Sequence, residues 1–214
     1  MNNFDRLAPI YDRLVRLVFG KSMMRAQTRF LSEIDPHSEV LILGGGTGWL
    51  LAELVSVKPD CKVTYIDASE KMIDLAREKI RGYSRDVSFI HGTERSIPAA
   101  YIYDVVITHF YLDLFEPRSC REVCDLIRNH CHPGSLWLAC DFVNQAWWHS
   151  VMLKVMYIFF GMATGLRTRR LPDWRTDIRD SGFIEIGVQY YCGEFIWSSL
   201  FREGIGTGKA NARW

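Results

Sequence analysis

The six cysteines of this 214-residue chain include no Cys-x-x-Cys pair, and no second ligand pair follows Cys120 and Cys124 at their helical four-residue spacing. A structural zinc site is therefore not expected, even with Cys131 and His132 nearby, and buried helix cysteines are the preferred reading. No basic-then-apolar leader opens the sequence, so reduced thiols in a cytoplasmic protein are expected. Neither sign of charge is in surplus: 26 basic against 25 acidic residues leave a net +1, which offers no global field to attract nucleic acid or an anionic membrane.

Long uninterrupted apolar runs are also missing. The stretch from Trp147 to Leu166 is long enough to span a bilayer but is interrupted by His149, Lys154, Gly161 and Gly165, so no transmembrane segment is expected. Peripheral membrane contact through Arg167, Arg169 and Arg170 beside it stays open, and the same cluster is suited to gripping a carboxylate or phosphate; a solvated loop is the plainer reading. No sequence signal bears on oligomeric state.

What is present is an alternation of apolar runs with helical patterns. Strands are expected at Glu39 to Leu43, Lys62 to Ile66, Val87 to His91, Tyr103 to His109 and Ser135 to Phe142, with helices at about Thr47 to Val57, from Ser69 onward, and at Ser119 to His130. Repeated strand-helix units imply a largely parallel sheet covered on both faces. Ser69 is placed to cap its helix, with Met72, Leu75, Ala76 and Ile80 near one face. The chain then closes with a helix from Trp174 to Asp180 and two strands, Phe183 to Tyr191 and Glu194 to Phe201, whose short Cys192-Gly193 link suggests a hairpin.

The stretch "VLILGGGTGWL", Val40 to Leu50, drives a strand straight into a helix through glycines. A helix entered this way exposes unpaired N–H groups and the positive end of its dipole, and Gly44, Gly46 and Gly48 permit positive φ and close approach of a ligand to the main chain. Position 49 holds Trp where G-x-G-x-x-G needs a third glycine, which counts against a nicotinamide cofactor. No Lys-Ser/Thr pair follows either, and the "GKS" at Gly20 to Ser22 has Val15 where a phosphate-binding loop needs its first glycine. Asp67, 19 residues past Gly48 at the end of the second strand, is suited to accept ribose hydroxyls, and equally to act as an acid at the N-terminus of the helix capped by Ser69.

In combination these motifs resemble the class I S-adenosylmethionine-dependent methyltransferases: Val40 to Gly48 as the first motif, Asp67 as the ribose acid, "HGTERSIP" (His91 to Pro98) as the adenine loop and "YDVVITHFYLDLF" (Tyr103 to Phe115) as the fourth-strand motif. The leader "FDRLAPIYDRL" is similar to that of the ubiquinone/menaquinone-biosynthesis-like branch. The resemblance implies one Rossmann-like domain: an N-terminal helical cap at 1–35, a cofactor core at 36–145, an apolar lid at 146–172, and a final helix and hairpin at 173–214 on a mostly parallel seven-stranded sheet with helices on both faces. It implies S-adenosyl-L-methionine as cofactor and S-adenosyl-L-homocysteine as product. Carried over residue by residue, Gly44, Gly46 and Gly48 lie under the methionyl part, Asp67 on the ribose, Ala68 and Met72 beside the adenine, and Thr93 or Glu94 at its amino edge. Tyr11 reaches over the cofactor, and Thr108 and His109 face the methyl group. The chain departs from the family at Ile42, where an acid is usual, and at Thr93, where an acid is common.

Methyl transfer from a sulfonium is an in-line displacement, so the protein's task is to align the acceptor and exclude water. For a hydroxyl acceptor His109 is the first candidate to take the proton, with a hydrogen-bonded strand-end histidine as the plainer alternative. Asp113 is a weaker candidate for orienting an amine, with an exposed loop acid as its plainer role. The apolar stretch after the fifth strand, with Val151, Val155, Ile158, Phe159 and Met162 on one helical face, sits where a lid over a small apolar or aromatic acceptor belongs, and a nucleic-acid substrate is disfavoured. A nicotinamide-dependent oxidoreductase and a non-catalytic cofactor-binding or interaction module are the competing readings, the latter supported by Ile42.

Overall fold

The computed structural model describes residues 20–83, 86–154 and 171–204. Seven strands form one sheet: β1 (Glu39–Leu43), β2 (Lys62–Asp67), β3 (Val87–His91), β4 (Tyr103–His109), β5 (Cys131–Phe142), β6 (Phe183–Tyr191) and β7 (Ile196–Glu203), in the order β3-β2-β1-β4-β5-β7-β6. The first five are parallel and β7 runs antiparallel to both β5 and β6. The order reverses between β1 and β4, which opens a crevice at the carboxyl ends of those strands.

A parallel sheet needs apolar residues on both faces because helices cover both. Along β1, Leu41 and Leu43 pack with α4 (Pro117–Arg128) and α6 (Trp174–Asp180), while Val40 and Ile42 pack with α2 (Trp49–Val57) and α3 (Glu70–Lys79). A third cluster joins α1 (20–28) and α5 (147–154) to the ends of β5 and β7 through Met23, Ala26, Phe142, Leu153, Phe195 and Ile196. His149, 1% exposed, fixes α5: its Nδ1 accepts from the N–H groups of Gln145 and Ala146, and Nε2 faces the Gly193 carbonyl oxygen at 3.2 Å.

Local signals explain most element ends. Ser69 Oγ accepts from the Met72 N–H at 3.2 Å and starts α3, as expected. On that helix Ile73 takes the buried place expected for Leu75, which is 38% exposed. The helix expected from Ser119 begins instead at Pro117, whose missing N–H costs nothing in the first turn. Strand β5 begins four residues earlier than expected, because Ser135 Oγ accepts from the His132 N–H and donates to the Tyr103 carbonyl oxygen, carrying the pairing across the Pro133-Gly134 corner. The hairpin link is longer than two residues, with Cys192, Gly193 and Glu194 all at positive φ.

In α5 the buried residues are His149 and Leu153, whereas Val151 is 53% and Trp147 81% exposed. The expected apolar face is thus turned outward at its first position, and Val155 to Met162 lie outside the described residues. No helix among the described residues is long and apolar enough to cross a membrane.

At the amino ends of β4 and β5, away from the crevice, His132 Nε2 lies 2.8 Å from Asp104 Oδ1, and its Nδ1 lies 2.9 Å from the Pro133 carbonyl oxygen. The Pro133 carbonyl and then the Asp104 carboxylate raise the imidazole's pKa, since both ring nitrogens act as donors when it is charged. A raised value means that the pair's stabilisation is fully present below the ordinary histidine range and disappears as pH rises through the folded value. Both side chains are nearly half exposed, so solvent screening limits this to below about 1 kcal/mol. Melts between pH 6 and pH 9 should therefore show a fall that is larger by a few degrees in wild type than in His132→Gln.

Candidate functional site

The crevice is floored by the loop from Gly44 to Gly48. Gly44, Gly46 and Gly48 all have positive φ, at 65°, 63° and 76°, as the glycine pattern requires. Their surroundings differ. A Cβ on Gly44 would meet the Tyr111 ring at 2.4 Å, and one on Gly48 would meet Ala76 Cα at 2.5 Å. Only at Gly46, of the three, would a Cβ project into open space. Gly44 therefore also leaves room for the Tyr111 ring, and Gly48 for α3.

The loop is tied to β2. Gly44 N–H donates to the Ile66 carbonyl oxygen at 2.9 Å, Tyr65 Oη donates to the Gly46 carbonyl oxygen at 2.7 Å, and Gly46 N–H donates to Asp67 Oδ2 at 2.9 Å. Asp67 Oδ1 accepts from the Ser69 N–H at 2.9 Å, so its part at the start of α3 is realised alongside its contact with the glycine loop. Ala68, half-buried, follows at the rim, with His91 Nε2 3.1 Å from its carbonyl oxygen. Met72 is 5% exposed on the face of α3.

On the adenine-loop side, Thr93 Oγ1 accepts from the Arg95 N–H and starts a short 3-10 turn, Glu94–Ser96. Glu94 is buried and accepts from Tyr111 Oη at 2.8 Å. Burial, and then the adjacent Glu94 charge, raise the Tyr111 phenol's pKa well above its ordinary value, so it remains the donor. Tyr111 thus joins Gly44 to Glu94 across the crevice. Nothing local in the sequence indicates that role, because the contact spans 17 residues.

Strand β4 delivers two expected site residues differently from the expectation. Thr108 is 0% exposed and its Oγ1 accepts from Trp137 Nε1 at 2.8 Å, which directs it into the core and away from the crevice. His109 is 8% exposed, and its Nδ1 is buried without a hydrogen-bond partner. Burial lowers the pKa to about 3, so the ring is neutral at physiological pH and too weak a base to take a proton there. This burial disfavours the expected role as general base, and the hydrogen-bonded alternative is not met at Nδ1.

After β4 the chain passes through Phe110, at φ 53°, an uncommon conformation for a bulky residue. The Phe110 ring packs on Phe142 at 5.0 Å between centroids while Tyr111 packs on Gly44. The following turn is held by Asp141, 0% exposed, whose Oδ2 accepts from the N–H groups of Leu112 and Asp113 and whose Oδ1 accepts from that of Phe142. Asp113 is not an exposed loop acid: its Oδ1 is buried without a partner, and burial pushes its pKa up to about 7. Burial and the charge of Asp113 push Asp141 well up as well. The signal that could have found Asp141 is an acid inside the apolar run "SLWLACDF".

No group of three or more His, Cys, Asp or Glu among the described residues is arranged to hold a metal ion. Cys120 and Cys124 are buried in α4.

A sheet that reverses order at β1 and β4, with a glycine loop above β1 and an acid ending β2, can be set beside known proteins. The family model described as a methyltransferase domain matches residues 40–134, which is β1 to the start of β5. Residues 40–134 thus match a methyltransferase domain, and the chain is similar to the class I S-adenosylmethionine-dependent methyltransferases. The chain is 32% identical to a demethylmenaquinone methyltransferase of Thermotoga maritima over 101 residues, 46% of this chain and 42% of the relative. It is 27% identical to a malonyl-[acyl-carrier protein] O-methyltransferase of Halalkalibacterium halodurans over 149 residues, 65% of this chain and 53% of the relative. The matches thus span about half or less of these relatives' length. The fold is shared with magnesium protoporphyrin IX methyltransferase of Synechocystis, solved with S-adenosylhomocysteine: TM-score 0.65 and 17% identity, over 86% of this chain and 83% of that one.

The family's cofactor is S-adenosyl-L-methionine, and the residues here fit an adenosyl group. The open, left-handed Gly46 and the carboxylate that ends β2 lie side by side, 2.9 Å apart at Gly46 N and Asp67 Oδ2. Ile42, in place of the family's usual acid, is 1% exposed in the core between the sheet and α2, so packing accounts for it. Tyr11, Phe159, Phe160 and the Arg167, Arg169 and Arg170 cluster lie outside the described residues.

Proposed function

We propose that this chain transfers a methyl group from S-adenosyl-L-methionine to a small apolar or aromatic acceptor, releasing S-adenosyl-L-homocysteine. The observation that carries the reading is the junction of Gly46 and Asp67, an open stretch of main chain held against a buried carboxylate at the switch point of the sheet. In this reading Gly46 admits the cofactor, Asp67 takes the ribose, and Ala68 and Met72 flank the adenine. Glu94, buried and oriented by Tyr111, is preferred over Thr93 for the amino edge, because the Thr93 hydroxyl is used in starting its turn. Gly44 and Gly48 shape the cradle from beneath.

When bound, the cofactor supplies a methyl on a sulfonium, whose carbon–sulfur bond breaks to a neutral thioether as the acceptor's lone pair forms the new bond. The chain's own part is alignment and exclusion of water, and buried apolar residues at the carboxyl end of β5, Phe142 and Val143, suit an apolar acceptor. The reading keeps 1–214 as one domain, with 36–145 as cofactor core, 146–172 as lid and 173–214 completing the sheet. Ile42 lends no support to a non-catalytic module, since packing accounts for it.

Calorimetric titration with S-adenosylhomocysteine tests this. Binding is expected, and Asp67→Asn should weaken it at least about tenfold, within the cost of one charged hydrogen bond. Wild type that ignores the nucleoside, or a variant that binds it equally well while its circular dichroism stays native, would remove the reading. A tryptophan-emission response to NADH instead would favour the oxidoreductase.

A further inference from the structure

A cavity of about 530 Å³ lies beyond the carboxyl end of β5, between α5 and the start of α6. Its volume is in the range of small-molecule sites. Its floor is apolar and buried: Phe142, Val143, Leu153 and Trp174 are each less than 9% exposed. The Trp174 indole N–H is already used, donating to the Phe142 carbonyl oxygen at 3.0 Å, so the ring offers the cavity an apolar face.

The charged groups of the rim differ in whether they are committed. Arg175 is paired with Glu185 and stacked over the Trp197 ring at 4.2 Å. Asp173 accepts from the N–H and hydroxyl of Thr176 and starts α6. Lys154 lines the cavity and has no carboxylate partner among the described residues. An apolar floor with an uncommitted ammonium at its edge is complementary to a molecule that is apolar at one end and anionic at the other.

The cavity and the cofactor crevice lie at the same, carboxyl end of the parallel strands. Phe142 packs on Phe110, and the next residue, Tyr111, packs on Gly44.

We propose that this cavity is the acceptor site and that it selects an aromatic or similarly apolar acceptor carrying a carboxylate, with Lys154 holding the carboxylate. The proposal rests on the methyltransferase reading but is tested apart from it. The probes are 1-hydroxy-2-naphthoate and its uncharged counterpart 2-naphthol, titrated by calorimetry with and without S-adenosylhomocysteine. Wild type is expected to bind the naphthoate at least tenfold more tightly than the naphthol. Lys154→Glu should abolish that preference and leave the naphthol's affinity unchanged, and Ser150→Trp, which fills the cavity from its rim, should weaken both probes. Affinity for S-adenosylhomocysteine should be the same in all three proteins. No probe binding to wild type, or equal binding to wild type and Ser150→Trp, would overturn the site; a naphthoate preference that survives Lys154→Glu would overturn the role of Lys154. Failure of S-adenosylhomocysteine to bind wild type would instead overturn the cofactor reading, and the probe titrations without it would still decide the cavity.

Discussion

Gly48→Val is expected to lower the melting temperature by roughly 5 to 20 °C, whereas Gly46→Ala two residues earlier should cost only a few degrees and abolish cofactor binding instead. Both glycines have positive φ, so both substitutions incur the left-handed penalty, about 1–3 kcal/mol for a non-glycine residue. At Gly48 a second cost adds to it. The new Cβ would lie 2.5 Å from both Cα and Cβ of Ala76, and a helix backbone cannot yield as a flexible side-chain tip can; overpacking of this kind costs about another 1–3 kcal/mol. At Gly46 no atom of the described residues, its chain neighbours aside, lies within 4 Å of the added methyl, so no steric cost arises from them. That methyl instead takes the space proposed for the adenosyl group, and affinity for S-adenosylhomocysteine should fall more than tenfold. Thermal melts and calorimetry on the two variants check the contrast. Equal destabilisation with retained binding in both would mean that the glycine loop does not cradle the cofactor.

The second large effect concerns Asp113 and Asp141. Their pKa values are raised in the folded protein, so the folded state holds protons that the unfolded chain releases at ordinary carboxylate pH. The sign follows: stability contributed by Asp113 is present at low pH, falls as pH rises from about 4 to about 7, and is flat above. Asp113→Asn cannot ionise, so at pH 8 it should melt above wild type, by an amount matching the cost of one unsatisfied buried polar group, about 1–3 kcal/mol. The advantage should vanish near pH 4. Asp141→Ala should act in the opposite direction, because its carboxyl accepts three backbone N–H groups. Leaving those donors stranded costs about 3–5 kcal/mol and releases the turn that carries Tyr111. Melts of both variants at pH 4, 6 and 8 separate the two carboxyls; a pH-independent difference for Asp113→Asn would contradict the shifted titration.

The Gly46 and Asp67 contrast with Thr108 and His109 shows which parts of the site could be read in advance. A strand that enters a helix through glycines, and an acid at the end of the next strand, are consequences of chain order alone. The positions lie within one or two residues of a strand's carboxyl end, and the parallel topology brings those ends together. His109 and Thr108 also sit at a strand end, yet their directions could not be read. Both faces of a parallel strand are apolar, so alternation does not reveal which side chain turns toward the crevice. Here the Trp137 indole captures Thr108, and packing of neighbouring layers buries His109.

The pattern of apolar runs and the order of motifs determined the element sequence, the parallel character of β1 to β5, the cap at Ser69 and the glycine-acid pair of the crevice, because each depends on neighbours within a few positions. Only the tertiary structure decided that Tyr111 fills Gly44 and holds Glu94, that Asp141 is buried beneath the turn after β4, and that Lys154 stands at the rim of a cavity with an apolar floor. Those are contacts between residues distant in the chain, and their burial and charge state arise only when separate layers are brought together.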